Sequence, residues 1–297
     1  MVKKGSLLIF LAAALWGIAG IFVKKLSGFG ISAMPIVVFR CAFTALIIGA
    51  FMLFKNPKGF KIRLGDIHLF AMNGIFSIVM FTFCYYKTMQ LSTLSVAAIL
   101  LYTAPIFVMI ISALFFGEKL GVKKILALII AFAGCTFVSG IIGSDVKISY
   151  GAVIYGLLTG FGYALYTIIG NRLILKGYST ATIIFYTFAF ALAGSSVITV
   201  LNHEAAQLKF NQSVLIWAIL MALLNAVIPY VLYTAGLKYV SASVAPIIAT
   251  VEPVAATVVG LFYGERLTVY GVIGIILVLL SVVILNVKSG EKVDNKG

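Results

Sequence analysis

IATVEPVAATVVGLFYGERL, residues 248–267, sets a glutamate, Glu252, in the middle of an apolar run and a second, Glu265, near its end. An earlier stretch, LYTAPIFVMIISALFFGEKL (101–120), has the same outline. Each holds a proline, then an apolar run closing on aromatic-Gly-Glu-basic-Leu. Only the later one places a carboxylate immediately before the proline. The chain around them is 63% hydrophobic and 10% charged over 297 residues, with a mean hydropathy of +1.17. A soluble domain is about half apolar and about a quarter charged. Such a chain cannot cover itself with polar surface in water, and belongs in a bilayer.

Ten apolar runs are long enough to span: 7–23, 34–54, 67–86, 93–116, 125–142, 151–170, 181–201, 214–235, 240–263 and 269–287. They are continuous and do not alternate in polarity, which argues against a barrel. Helices satisfy their own backbone groups in lipid, so ten spanning helices are expected. The start, MVKKGSLLIFLAAALWG, has the look of a signal peptide. Its apolar run continues through Val23 and nine more follow, so an uncleaved first helix is the expectation.

If the N-terminus is cytoplasmic, Lys and Arg number 15 on that side and 6 on the other, with Arg40 inside a span. That bias predicts both termini cytoplasmic. It also accounts for the net charge of +14 without a nucleic-acid partner, since the basic residues sit in short loops. Cys41, Cys84 and Cys135 all fall inside spans without a CxxC neighbour, and read as small packing residues.

The likeness extends beyond the opening pair. WGIAGIFVKKL (16–26) aligns with YALYTIIGNRL (163–173) at an offset of 147, as do Ile36 with Ile183 and GEKL (117–120) with GERL (264–267). LSV (94–96) meets ASV (242–244) one residue further along. Residues 1–143 and 150–288 therefore read as two copies of a five-span unit, followed by a short cytoplasmic tail, 289–297. Five is odd, so the second copy enters the membrane from the opposite side. The expected fold is an all-α membrane protein of ten transmembrane helices in two inverted five-helix repeats. Inverted repeats mark secondary transporters, whose site lies between the halves near the midplane.

On LAAALWGIAGIFVKK in span 1, VVFRCAFTALI in span 2, APIFVMIISALFFGEKL in span 4 and EPVAATVVGLFYGERL in span 9, the chain resembles the EamA-type proteins of the drug/metabolite transporter superfamily. The resemblance covers about residues 5–288. It implies a carrier of small organic solutes in the bacterial inner membrane, often an exporter of amino acids or related metabolites.

Glu252 is the one acid deep in a span. A charge at mid-bilayer costs about 2.5–3.5 kcal/mol on insertion scales. It reads either as a protonatable or substrate-facing group, or as a structural partner for Arg40 or for backbone freed by Pro253. An ion pair with Arg40 would hold it charged and take it out of proton coupling. Arg40, about 9 Å into span 2, either snorkels to the interface or turns inward; the resemblance includes an arginine there and favours the inward choice. Trp16, Tyr102, Tyr163, Asn73, Asn225 and Tyr230 are expected around an amphipathic cavity, against the plainer reading of each as interhelical packing. Pro105 and Pro253 occupy corresponding spans and mark kinks suited to gating. Glu118 and Glu265 read as structural corners. GLLTG (156–160) admits close helix contact within the fold or in a homodimer.

An intramembrane enzyme finds no support. The chain has no HExxH, no paired membrane aspartates and no GxxxxGK[ST]. No catalytic residue, metal site or cofactor is expected. The partners expected are a small-molecule substrate and the lipid bilayer. A passive facilitator or channel, with Glu252 only a structural partner, is the alternative.

Overall fold

The structure, a computed structural model, describes residues 2–142, 149–262 and 268–286, with Val2, Leu94 and Ser95 described by backbone alone. The Glu265 corner and the 289–297 tail lie outside the described residues. Among the described residues nine helices are long and apolar enough to span: α1 (Lys3–Gly28), α2 (Ala33–Lys55), α3 (Leu64–Leu91), α4 (Val96–Phe116), α6 (Tyr150–Leu175), α7 (Thr180–Leu201), α8 (Gln212–Gly236), α9 (Ala245–Phe262) and α10 (Val269–Asn286). The tenth run forms α5 (Val122–Val138), whose 17 residues give about 25 Å, at the short end of what spans.

Local chemistry sets the helix ends. Thr93, Ser149, Ser179 and Asn211 each accept, through the side chain, a hydrogen bond from the N–H three residues on. Gly117, at φ 62°, ends α4 in the left-handed conformation that favours glycine. The sequence starts the ninth run at 240, but the helix begins only at Ala245. Residues 237–244 instead turn a corner rich in serine, with Pro246 in the first turn of the helix that follows.

The packing follows the repeat. α2 packs on α7 and α5 on α10, each helix on its own repeat mate. α1 packs on α8 and α9, and correspondingly α6 packs on α3 and α4. Exchanging the two halves leaves this set of pairs unchanged, which is the signature of a pseudo-two-fold axis in the membrane plane. Helix irregularities repeat too. A π-helical segment at Ile75–Met80 in α3 has its counterpart at Ala222–Val227 in α8, again 147 residues on. α4 breaks at Tyr102–Thr103 and α9 at Thr250, and Thr103 and Thr250 are 147 apart. In both, the threonine hydroxyl donates to the carbonyl three residues back, at 2.6 Å. The cause lies just beyond each break. Pro105 and Pro253 have no N–H to give the carbonyls of Leu101 and Ala249, and their rings crowd those carbonyls.

Even spans bring the chain back, so the N-terminus shares a face with the α2–α3, α4–α5, α6–α7 and α8–α9 connections. Side-chain contacts agree: Lys4 lies over the Tyr239 ring on this face, and on the other the Lys209 ammonium donates to the Phe29 carbonyl at 2.8 Å.

Where α5 crosses α10, Gly134 and Gly274 let the backbones touch. A Cβ on Gly274 would sit 2.6 Å from the Val138 nitrogen and 2.7 Å from the Gly134 carbonyl oxygen. Neither backbone atom can yield without moving a helix. Gly274→Val is therefore expected to destabilise the protein by about 1–3 kcal/mol, read as a lower unfolding midpoint in detergent. An unchanged midpoint would contradict this crossing.

Candidate functional site

A cavity of about 570 Å³ lies between the halves. Its walls come from α1, α3, α4 and α5 of the first repeat and from α9 of the second. Trp16, Tyr85, Tyr102 and Glu252 line its mid-membrane end, and Lys24, Ser139 and Gly260 lie towards the face opposite the N-terminus. Below it, towards the N-terminal face, Ile9, Ala13 and Ile248 are fully buried in one apolar cluster and form a packed floor, with Val108 and Ile247 also fully buried.

The break at Thr250 positions Glu252 in the first turn of the upper segment of α9. Across from it Gly17 lets α1 approach closely, since a Cβ there would meet the Glu252 carbonyl oxygen at 2.6 Å. The Glu252 side chain is partly exposed to the cavity. Among the described residues two ion pairs fall within 4.0 Å, Lys124 with Glu118 and Lys176 with Asp66, and neither involves Glu252 or Arg40. No side-chain hydrogen bond ties the Glu252 carboxylate to a described residue. The ion pair that would hold this carboxylate charged is thus not made.

Trp16, Tyr102, Glu252 and Pro253 meet at the cavity; Arg40, Asn73, Asn225, Tyr163, Tyr230 and Pro105 do not line it. Arg40 turns inward, as the resemblance implies, but onto α8. Its guanidinium lies 5.6 Å from the Tyr230 ring centroid and donates to the Asn225 carbonyl at 3.3 Å. The Asn225 amide in turn donates to the Leu15 and Trp16 carbonyls at 3.3 and 3.4 Å. Tyr163 meets its repeat mate Trp16 edge-on, with ring centroids 6.0 Å apart, as residues near a pseudo-two-fold axis must. Tyr230 and Tyr233 each pack 5.2 Å from Trp16. The Trp16 indole nitrogen is buried at the cavity wall with no hydrogen-bond partner. Asn73 is fully buried between α3 and α7. It donates to the Thr187 hydroxyl at 2.7 Å and accepts from Ser77 at 3.1 Å.

Sequence reasoning passed over Tyr85, Lys24, Ser139 and Thr257 on the cavity wall, because one tyrosine or threonine among so many carries no signal. It also passed over the use made of Glu118. This carboxylate accepts hydrogen bonds from the Ser243 hydroxyl, from the Ser243 N–H at 3.4 Å and from the Lys124 ammonium at 2.5 Å. Burial pushes its pKa up, but these donors outweigh that and hold it below the ordinary carboxylate value. The aligned LSV and ASV segments held the clue, since Ser95 and Ser243 share one place in the repeat.

A model of the EamA-like transporter family matches residues 3–140 and 151–287. The chain belongs to this family. Two relatives are similar over nearly their whole length. One is an uncharacterized transporter of Archaeoglobus fulgidus, 28% identical, with 95% of this chain and 96% of the relative aligned. The other is the riboflavin transporter ImpX of Fusobacterium nucleatum, 27% identical, with 94% and 96% aligned. Among solved structures, a crystal structure of a protein 14% identical superposes with a TM-score of 0.81 over 95% of this chain and 96% of the other, a likeness of fold. This EamA-like protein is a multi-pass membrane transporter of small solutes, and not an enzyme. Among the described residues no group of three potential metal ligands occurs.

Asn73→Ala removes one partner of a buried hydrogen bond and leaves the Thr187 and Ser77 hydroxyls short. It is expected to lower stability by about 1–3 kcal/mol while leaving the transport KM unchanged. A raised KM at unchanged stability would instead put Asn73 at the solute.

Proposed function

We propose that this EamA-like protein is a secondary, non-ATP transporter that moves small organic metabolites, amino acids or related compounds among them, by alternating access. Residues 1–143 and 150–288 act as the two inverted units, and the cavity between them is the solute site. The observation that carries the reading is the Glu252 carboxylate. It reaches a cavity between two inverted halves with no ion pair or hydrogen bond to a described side chain. A structural ion-pair partner would be expected to hold its cation; a group that exchanges a proton or meets a solute must be free to do so.

With both termini cytoplasmic in a bacterial inner membrane, as the Lys and Arg bias argues, the cavity faces outward and the packed floor closes the cytoplasmic side. Trp16, Tyr85 and Tyr102 offer flat apolar surface, and Glu252 offers a polar anchor. That combination suits a solute with an apolar body and a polar end, and riboflavin, named for one relative, has that character. Arg40, Asn225, Tyr163 and Tyr230 support the cavity from behind, and Pro105 and Pro253 sit at the breaks where each half bends. Export is the direction the family resemblance favours.

The test is solute flux in proteoliposomes across a panel of amino acids, flavins and related metabolites, with and without a pH gradient, for wild type and Glu252→Gln. Gradient-driven flux in wild type, lost or uncoupled in the variant, is the expected result. Flux indifferent to the gradient and unchanged in Glu252→Gln would leave a passive facilitator with Glu252 as a structural group.

A further inference from the structure

Glu118 and Ser243 belong to different halves, yet they are joined. Glu118 follows the left-handed Gly117 that ends α4. Ser243 is fully buried in the α8–α9 corner, two residues before α9 begins. The carboxylate takes both the hydroxyl and the N–H of Ser243, and Lys124 at the start of α5 supplies its countercharge. The Lys124 ammonium is itself held by the Lys119 carbonyl at 3.2 Å. The Glu118 side chain is 15% exposed, so water competes weakly for it.

Its position gives the contact a meaning beyond corner packing. α4 and α9 are the two helices broken at repeat-related threonines. Below the breaks run Ala104–Phe116 in α4 and Ala245–Ala249 in α9. Glu118 ends the first of these segments, and Ser243 precedes the second. Just above the contact, Met109 and Ile247 are buried together in one apolar cluster. The cavity runs from the level of the breaks towards the opposite face. A path from the cavity to the N-terminal face between α4 and α9 parts these two lower segments, and with them Glu118 from Ser243.

A second polar tie on the same face behaves differently. Asp66 joins Lys176 at 2.7 Å and Tyr178 at 2.8 Å, also across the halves. There the backbones are already in contact, since a Cβ on Gly74 would meet the Thr187 carbonyl oxygen at 2.5 Å. Phe70 also fills the joint against Tyr178 and Tyr186. Asp66 reinforces a seam that the helices hold without it.

We propose that Glu118 is a positioning residue for transport: its bond to Ser243 latches the N-terminal face shut, and each cycle breaks and remakes it. The latch rests on the alternating-access reading, and its test separates the two. Spin labels at Val122→Cys, which is 83% exposed, and Lys238→Cys straddle the two corners, in the full chain with the three native cysteines replaced. Their distance distribution in proteoliposomes reports the gap. Glu118→Ala and Ser243→Ala are each expected to raise the long-distance population about tenfold or more. Glu118→Gln, which keeps an acceptor for Ser243, restores part of the wild-type distribution, and Asp66→Asn leaves it unchanged. The same distribution in wild type, Glu118→Ala and Ser243→Ala would overturn the latch, even if the variants melt earlier, because a purely structural corner lowers stability without shifting the gap. Ser243→Ala decides the matter should Glu118→Ala fail to fold. Solute flux in the same vesicles tests the carrier separately: channel-like flux in wild type beside a shifted gap would remove the alternating-access reading, whereas carrier-like flux beside an unshifted gap would overturn the latch alone.

Discussion

Inside a bilayer no water waits to satisfy an interrupted helix, so every break must find its partners within the protein. The breaks in α4 and α9 meet that demand in the same way. A proline withholds one N–H, and a threonine two or three residues earlier turns its hydroxyl onto the carbonyl three residues before it. In the alternating-access proposal, the symmetry of the two breaks supplies two comparable places to bend. Each divides its helix into an upper and a lower segment, and the cavity occupies the level of the breaks. Glu252 stands beside Pro253 there, on the only one of the two prolines that follows a carboxylate.

The inverted repeat constrains the rest of the packing. α2 with α7 and α5 with α10 pair each helix with its own mate, so both pairs lie across the pseudo-two-fold axis. Gly134 and Gly274 bring the α5–α10 crossing to backbone contact, which fixes that pair closely. In the proposed cycle bending falls to the elements that are broken or softened: α4 and α9 at their threonines, α3 and α8 at their π-helical segments. One difference between the two halves falls at the cavity. α1 breaks at Ile18 beside the cavity wall, while its mate α6 is one unbroken helix. The halves share a plan, and the site is built on their departure from it.

Much of this was legible in the chain. Ten apolar runs, the 147-residue offset and the paired Pro-to-Gly-Glu motifs fix the helix number and the inversion, because spacing and hydropathy are one-dimensional quantities. The wall of the cavity is not one-dimensional. Trp16 and Tyr102 reach it, whereas Tyr163 and Tyr230, equally aromatic and equally mid-span, pack behind Trp16. Which face of a helix meets empty space depends on crossing angles that the sequence does not state. Asn73 illustrates the same limit, since a buried amide announces only that it has a partner, and here the partner is Thr187. Glu118 was read as a helix corner from its glycine; that it reaches across to Ser243 needed the structure. The 240–263 run began too early because Val240, Ala242 and Val244 are apolar, while the serines among them serve the corner.

The account stands on a cavity that is never open to both faces at once. Ala256 is exposed on the cavity wall of α9, and Ala256→Cys adds a thiol there with little change in volume. Labelling this thiol with a membrane-impermeant reagent from each side of sealed, oriented vesicles, with and without a transported solute, measures access directly. Reaction from one side that solute shifts to the other, with the two rates moving in opposite directions, is the predicted result. Simultaneous reaction from both sides, rising and falling together, would describe a channel and contradict the account.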